Sequence, residues 1–293
     1  MNVVSDNLSI TIQGFTLDAD ALTKINTPPF GTFAFAIDEV RVFDADASQA
    51  GPIELSNVSS KFDSTEGNSA GTASVVGGYK VAKAVISENV ITDFEIGIQL
   101  LNLSIAATES YLSWSEQLAT VDQEDPQAVQ QMLKSVSPIV YQIMANSPKW
   151  IVSPLRFTAN EEPFESDFRM TIDGSKLPAA TEFDFTKGWT WHPALGGNAN
   201  ASISEPLATT LAVASTRSQL AEALADQDGF TPEQINEMAT NQALIVMEGL
   251  VGRGLIQRTD GTLGAQVSWD NGVLLLNGQP MPFDALMGGA PSP

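Results

Sequence analysis

Over roughly the first hundred residues, apolar and polar positions alternate. Leu8, Ile10 and Ile12 alternate with Ser9 and Thr11, and Phe33, Phe35 and Ile37 alternate with small residues. A period of two marks strands with one covered face. At Asp38-Glu39 the phase slips and the apolar register resumes at Val40 and Val42, which predicts a β-bulge. Ile53 and Leu55 follow, then Val81 and Val85 after a Gly-rich turn. A long run goes from Phe94, Ile96, Ile98 and Leu100 on through Leu101, Leu103 and Ile105. That run carries two phases, so both of its faces are expected to be covered, as where a sheet passes beneath helices.

From about residue 109 the period lengthens. Asp125-Pro126 offers a carboxylate at the N-cap and proline at the first helical position, and Val129, Met132, Leu133 and Val136 form an apolar stripe. Pro138 should kink or restart that helix, after which Ile139, Val140, Ile143 and Met144 carry the stripe to the Ser147-Pro148 stop. Strands return with Trp150, Val152 and Phe157, and again where Phe164, Phe168, Met170 and Ile172 alternate with Glu165, Asp167, Arg169 and Thr171. A further strand is expected near Phe183, Phe185, Trp189 and Trp191.

Leu207, Leu211, Leu220 and Leu224 suit a helical segment between Pro206 and Gly229, with a break allowed in its middle. Thr231-Pro232-Glu233-Gln234 is a capping box that launches a helix through Ile235, Met238, Ile245, Met247 and Val251, stopped by Gly252 and Gly254. Asp260-Gly261 and Asn271-Gly272 are hairpin signals flanked by Leu255, Ile256, Val267, Trp269, Val273 and Leu275, which makes the C-terminus a β-meander.

Composition narrows the function classes. The chain has 293 residues with 14 Lys and Arg against 35 Asp and Glu, a net charge of 14 − 35 = −21. Such a chain lacks the clustered cations that phosphate backbones require, so no nucleic-acid partner is expected. It has no cysteine, which removes disulfides, thiolate metal sites and cysteine nucleophiles. One histidine, His192, excludes any site built on two imidazoles. No stretch of about 18 apolar residues occurs, so no membrane span is expected in this chain. Neither a basic nor an apolar leader region opens it, and the start in mid-alternation reads as a fragment or processed chain.

Each candidate for chemistry meets a plainer reading. The stretch Gly71 to Lys80 approaches a phosphate loop, but Tyr79 separates Gly78 from Lys80 and no Ser or Thr follows; the alternation around it reads as a hairpin. In Asp226-Gln227-Asp228-Gly229, fitted as a calcium loop, Leu224 and Ile235 would fall at ligating positions they cannot fill. Asp18, Asp20, Asp44 and Asp46 are assigned to turns through side-chain hydrogen bonds. Glu161, Glu162, Glu165 and Asp167 offer carboxylates for glycoside hydrolysis. However, Glu165, Asp167 and Arg169 share one strand face opposite Phe164 and Phe168, as a solvated face does. His192, beside Trp191 and Pro193, has no assured triad partner and reads as a packed or turn-facing residue. Trp150, Trp189, Trp191 and Trp269 read as core anchors, as do Met132, Ile143 and Met144. The sequence therefore assigns no catalytic, cofactor-binding or metal-ligating residue and no cofactor. It names no ligand-binding residue and no oligomeric state.

Three stretches carry a family likeness: Ser147-Pro-Lys-Trp-Ile-Val-Ser-Pro-Leu-Arg-Phe157, Glu248-Gly-Leu-Val-Gly-Arg-Gly-Leu-Ile-Gln-Arg258 and Val273-Leu-Leu-Leu-Asn-Gly-Gln-Pro-Met281. In this order they resemble the bacterial YdgA-like family of uncharacterised envelope proteins, over about residues 120 to 281 with a weaker likeness before. The resemblance implies a Gram-negative protein with its body in the periplasm, held at the inner membrane by an N-terminal helix. It brings no catalytic residue with it.

The expected fold class is α+β: a long, twisted, mainly antiparallel sheet packed against about four helices, with a C-terminal β-meander. The chain is read as a single elongated domain over 1–293, with a β-rich lobe at 1–108, helices and intervening strands at 109–252 and C-terminal hairpins at 253–293. The expected function is that of a non-enzymatic envelope protein whose apolar sheet groove or edge meets a lipid, lipoprotein or protein partner. A structural scaffold without a small ligand is the alternative. A carbohydrate-active enzyme is the third, and it requires two inward-facing carboxylates beside a tryptophan-lined cleft.

Overall fold

Alternating sequence and two-residue turns lead here to one antiparallel sheet. The computed structural model describes residues 2–4, 8–22, 30–44, 52–87, 89–118, 126–185, 187, 191–224 and 229–281. The strands are β1 (Asn2–Val4), β2 (Leu8–Gln13), β3 (Thr16–Leu22), β4 (Phe30–Asp44), β5 (Ile53–Glu66), β6 (Thr72–Ile86) and β7 (Asn89–Ser104). After helices α1 (Ile105–Leu118) and α2 (Pro126–Ala145) come β8 (Lys149–Ala159), β9 (Glu162–Ile172) and β10 (Leu195–Ser204). Helices α3 (Glu205–Ala223) and α4 (Pro232–Gly252) precede β11 (Gln257–Thr259), β12 (Thr262–Asp270), β13 (Val273–Leu276) and β14 (Gln279–Met281). Each strand pairs antiparallel with its neighbour, in the order β1-β2-β4-β5-β6-β7-β8-β9-β10-β12-β13-β14, so the fold is α+β as the sequence predicts. β3 lies on β4 beyond the end of β2, and β11 pairs with β12.

The phase slip foreseen at Asp38 crosses several strands. Pairing lapses between Asp38 and Asn57, and again at Ala82 and Asp93, with Asn57 at φ 52° and Asp93 at φ 55°. A left-handed residue in a strand shifts the side-chain alternation by one. In β5 the apolar positions accordingly pass from Val58 and Phe62 to Ile53 and Leu55; in β4 they pass from Phe35 and Ile37 to Val40 and Val42 opposite them, with no positive φ and no extra residue against β5, so the slip is not the β-bulge expected from the sequence. The crease reaches the sheet edge at Gly14, at φ 64°, between β2 and β3. A Cβ there would fall 2.0 Å from Asp38 Oδ2.

Several expectations are corrected. The two phases at the end of β7 are not among them: every residue from Phe94 to Ser104 is half-buried and α1 and α2 lie against the strand, while Asn102, at φ 58°, shifts the phase where the β6–β7 register also slips. Helix α1 starts at Ile105 rather than near 109, because the Ser104 hydroxyl accepts from the Ala107 N–H at 3.3 Å and caps it. The Gly-rich turn ahead of Val81 is the one at 67–71, which joins β5 and β6 as a hairpin, whereas Gly77 and Gly78 lie inside β6. A Cβ on Gly77 would sit 2.2 Å from the Lys61 carbonyl, and one on Gly78 2.1 Å from that of Ile96, so the glycines permit close strand approach. Asp18 and Asp20 lie within β3, not in turns, and alternate there with Leu17 and Ala19. Asp44 ends β4, and Asp46 lies outside the described residues.

Helix α2 begins at Pro126 and runs through Pro138 without a restart, while Asp125 lies outside the described residues. α3 is unbroken and capped by Ser204. α4 carries the capping box, with Thr231 and Gln234 each accepting from the other's N–H. It buries Ala239, Ala243 and Met247, whereas Ile245 is 73% exposed. Among the described residues no strand forms near Phe183 and Trp191. Short 3-10 turns at Gly174–Lys176 and His192–Ala194 bracket that segment instead, and Trp189 lies outside the described residues. Its aromatics fold inward: Phe183 and Trp191 join Tyr141, Met144, Trp150 and Ile172 in a buried cluster beneath α2.

The C-terminal meander forms as predicted. Asp260-Gly261 and Asn271-Gly272 have both residues at positive φ, the geometry of a two-residue hairpin turn. Asn277-Gly278 makes a third such turn, between β13 and β14.

Candidate functional site

Residues opposite one another in an antiparallel pair lie on the same face, so the register identifies the sheet's two surfaces. One row runs from Phe33 through Phe62, Gly77, Ile98, Val152 and Phe168 to Ala199, Val267 and Leu276. It spans nine strands without a charge, about 38 Å at ~4.8 Å per strand. A parallel row consists of Phe35, Ser60, Tyr79, Ile96, Leu155, Ser166, Ala201 and Ala265. On β9, β10 and β12 that second row is small (Ser166, Ala201, Ala265). Phe168, Ala199 and Val267 flank it on one side, and Phe164, Ile203 and Leu263 on the other. The flanks are bulkier on both sides at β9 and β12 and on the Ile203 side at β10, where Ala199 is as small as Ala201, which makes a short furrow of it.

The helices roof this face only in part: Trp150 and Ile172, in line with Val152 and Phe168, pack beneath α2, and Leu263 and Leu274 are buried. The helices' contacts with the sheet concentrate on β7, β9, β10 and β12: α1 and α2 lie against β7, and α3 against β9, β10 and β12. Phe33 remains 45% exposed and Tyr79 40%, although Phe62 and Tyr79 meet edge-on at 5.3 Å. Phe157 stacks on Phe164 at 4.8 Å, and Phe168 leans on Trp269 at 6.0 Å. Two buried polar atoms on this face, Ser60 Oγ and Trp269 Nε1, have no hydrogen-bond partner.

The opposite face carries the charges. Glu95 pairs with Lys80 at 2.9 Å and accepts from Arg156 Nε at 3.0 Å. These two donors, Lys80 first, hold its carboxyl below the usual glutamate range. Glu165 lies opposite Arg156 in the register, and Asp167 accepts from Asn200 Nδ2 at 2.9 Å. A cavity of about 360 Å³ lies over Arg156, Glu165, Asp167, Asn200 and Ser202. Glu161 sits in the Asn160-Glu161 turn and Glu162 opens β9. The four carboxylates weighed for glycoside hydrolysis are thus strung along a turn and one strand, with Glu165 and Asp167 on the face away from Phe164 and Phe168 and Glu162 on the other, rather than paired across a cleft.

His192 opens its 3-10 turn with its ring edge-on to Trp191 at 5.0 Å. Lys80 is engaged by Glu95 rather than by a phosphate loop. Asp226 and Asp228 lie outside the described residues. Among the described residues no group of three or more metal-ligating side chains converges, and no helix is long and apolar enough to cross a membrane. Sequence reading missed the small-residue furrow, which depends on cross-strand register; strand-by-strand alternation does not contain it.

The geometry defines an α+β protein built on an open antiparallel sheet with one apolar face, covered in part by helices, and one charged face. The chain belongs to a bacterial family of unknown function, described as Bacterial protein of unknown function (DUF945), whose model matches residues 1–284. That match extends the likeness beyond residues 120–281 and supports an uncharacterised bacterial family; it does not reach the narrower YdgA-like assignment. No curated protein and no solved structure matches the chain.

Proposed function

We propose that this is a non-enzymatic binding protein of the bacterial envelope, and that the apolar face of its sheet holds a lipid by its acyl chain. One observation carries the reading: the uncharged row from Phe33 to Leu276, with the furrow at Ser166, Ala201 and Ala265 beside it. An apolar surface of this extent, with Phe33, Tyr79 and Ala201 left exposed, supports an interaction site. The apolar row beside that short furrow, about 38 Å at ~4.8 Å per strand, is longer than an extended fatty-acyl chain, and a strip of that shape suits such a chain better than the broad surface of a folded partner. Each methylene buried there contributes about 0.8 kcal/mol. The YdgA-like resemblance supports a periplasmic position with a membrane anchor, which cell fractionation with an antibody to this chain would test.

The binding test uses the purified protein. Organic extraction and mass spectrometry should recover co-purified lipid, and a dansyl-labelled fatty acid should bind saturably. Ala201→Trp, which fills the furrow at an exposed position, should abolish uptake while leaving the circular dichroism spectrum unchanged. Absence of lipid and of saturable uptake would overturn the reading, as would undiminished uptake by the Ala201→Trp protein.

A further inference from the structure

We propose that the outer edge of β3 accepts an extended peptide segment of alternating apolar and basic residues as an added strand. This inference stands apart from the acyl-chain reading, since it concerns the sheet's edge and not its face.

Among the described residues, β3 has β4 as its one neighbour, so half of its backbone donors and acceptors point away from the sheet. The sheet's terminal strands are short: β1 and β14 have three residues each, and β14 contains Pro280, which cannot donate. β3 has seven residues and neither proline nor glycine, and Phe15 to Asp20 are all exposed.

The side chains of β3 specify what can dock. Leu17 lies opposite Phe35 and Ala19 opposite Phe33, which puts both on the apolar face; Asp18 and Asp20 lie on the charged face. No ion pair among the described residues engages either aspartate. Lys61, the cation in Asp18's row, is paired with Asp63 at 3.6 Å. A strand that extends the apolar face must place apolar residues beside Leu17 and Ala19. Its alternate residues then stand beside Asp18 and Asp20, where cross-strand charge complementarity favours Lys or Arg.

The same arithmetic rejects a second copy of this chain. Antiparallel pairing of β3 with itself that keeps the apolar faces continuous sets even positions opposite even positions. The well-overlapped registers then place Asp18 opposite Asp18, Asp18 opposite Asp20, or Asp20 opposite Asp20. Like charges directly opposed are destabilising, and both copies carry −21.

The test uses the full chain and a fluorescein-labelled, capped peptide that alternates lysine and valine. Fluorescence anisotropy should show saturable binding, about fivefold or more tighter than for a peptide of the same composition in block order. Methylating alternate backbone nitrogens of the peptide should abolish binding in one of the two phases. The double variant Asp18→Asn, Asp20→Asn should weaken binding severalfold and flatten its salt dependence. Asp18→Lys with Asp20→Lys should transfer the preference to an alternating glutamate–valine peptide. Equal affinity for the block-order peptide, indifference to both methylation patterns, or no change on charge reversal would overturn the proposal. So would dimerisation of the parent protein through this edge, seen by sedimentation and strengthened in the double asparagine variant. The peptide-side variants keep the test decisive should either protein variant fold poorly.

Discussion

Asn277 joins three elements, and its replacement should reveal how far the C-terminal meander depends on one side chain. Its Nδ2 donates to the Gly254 carbonyl at 2.8 Å and to that of Leu255 at 3.1 Å. Its Oδ1 accepts from the Gln266 N–H at 2.8 Å, and its own N–H donates to the Gln266 carbonyl at 2.7 Å. It thereby fills the gap on the edge of β12 between β11 and β13, and does so at φ 50°. Asn277→Ala removes three side-chain hydrogen bonds, each worth about 0.5–1 kcal/mol net at a partly exposed site. It also forces a left-handed alanine, at about 1 kcal/mol. The sum is about 2.5–4 kcal/mol, which at a urea m-value of about 3 kcal/mol per molar moves the midpoint down by roughly 1 M. Asn277→Asp is the sharper test. It keeps the acceptor and the tolerance for positive φ, yet turns a carboxylate toward two carbonyl oxygens. At pH 7 it should destabilise as much as alanine does. Those carbonyls raise the folded-state pKa of the new carboxyl, so protonation favours the folded form and stability should recover as pH falls toward 5. Urea titrations followed by tryptophan fluorescence would read all three proteins. An aspartate variant as stable as the parent at pH 7 would refute the stitching role.

Two further outcomes are expected. Gly78→Ala should cost more than about 2 kcal/mol in urea unfolding, because its Cβ would meet the Ile96 carbonyl at 2.1 Å and only a backbone shift relieves that; a loss under about 0.5 kcal/mol would show that the β6–β7 approach is not fixed. The Glu95 carboxyl, held below its ordinary value of 4.5 by Lys80 and Arg156, stabilises the fold fully above that value and progressively less as pH falls through its lowered folded-state pKa. Glu95→Gln should therefore reduce the difference in urea midpoint between pH 7 and pH 3, and an unchanged difference would refute the pairing.

The acidic stability lever and the glycine approach both lie on the charged side of the sheet, and neither was legible in the sequence for the same reason. Alternation along a strand tells which residues share a face of that strand; the partner each one meets is fixed by register. Thus Phe164 and Phe168 were separable from Glu165 and Asp167 by inspection, and the Asp260-Gly261 and Asn271-Gly272 turns by their dipeptides. The Glu95 pairings with Lys80 and Arg156, and the furrow of Ser166, Ala201 and Ala265, required the aligned strands. The segment with Phe183 and Trp191 misled for another reason. Its aromatics mimic a strand's alternation, but their partners are Tyr141 and Met144 of α2, so tertiary packing decided their conformation. The slip at Asp38 was the most informative local signal. A single strand can accommodate a bulge privately, but Gly14, Asn57 and Asp93 absorb the same shift in their own strands. Left-handed residues at matching heights keep the apolar positions on one side of the sheet on both sides of the crease. The apolar face is thus a property held jointly by several strands. Reversing one strand's alternation by restoring extended geometry at Asn57 would bring Val58 and Leu55 to opposite sides and break the face in two.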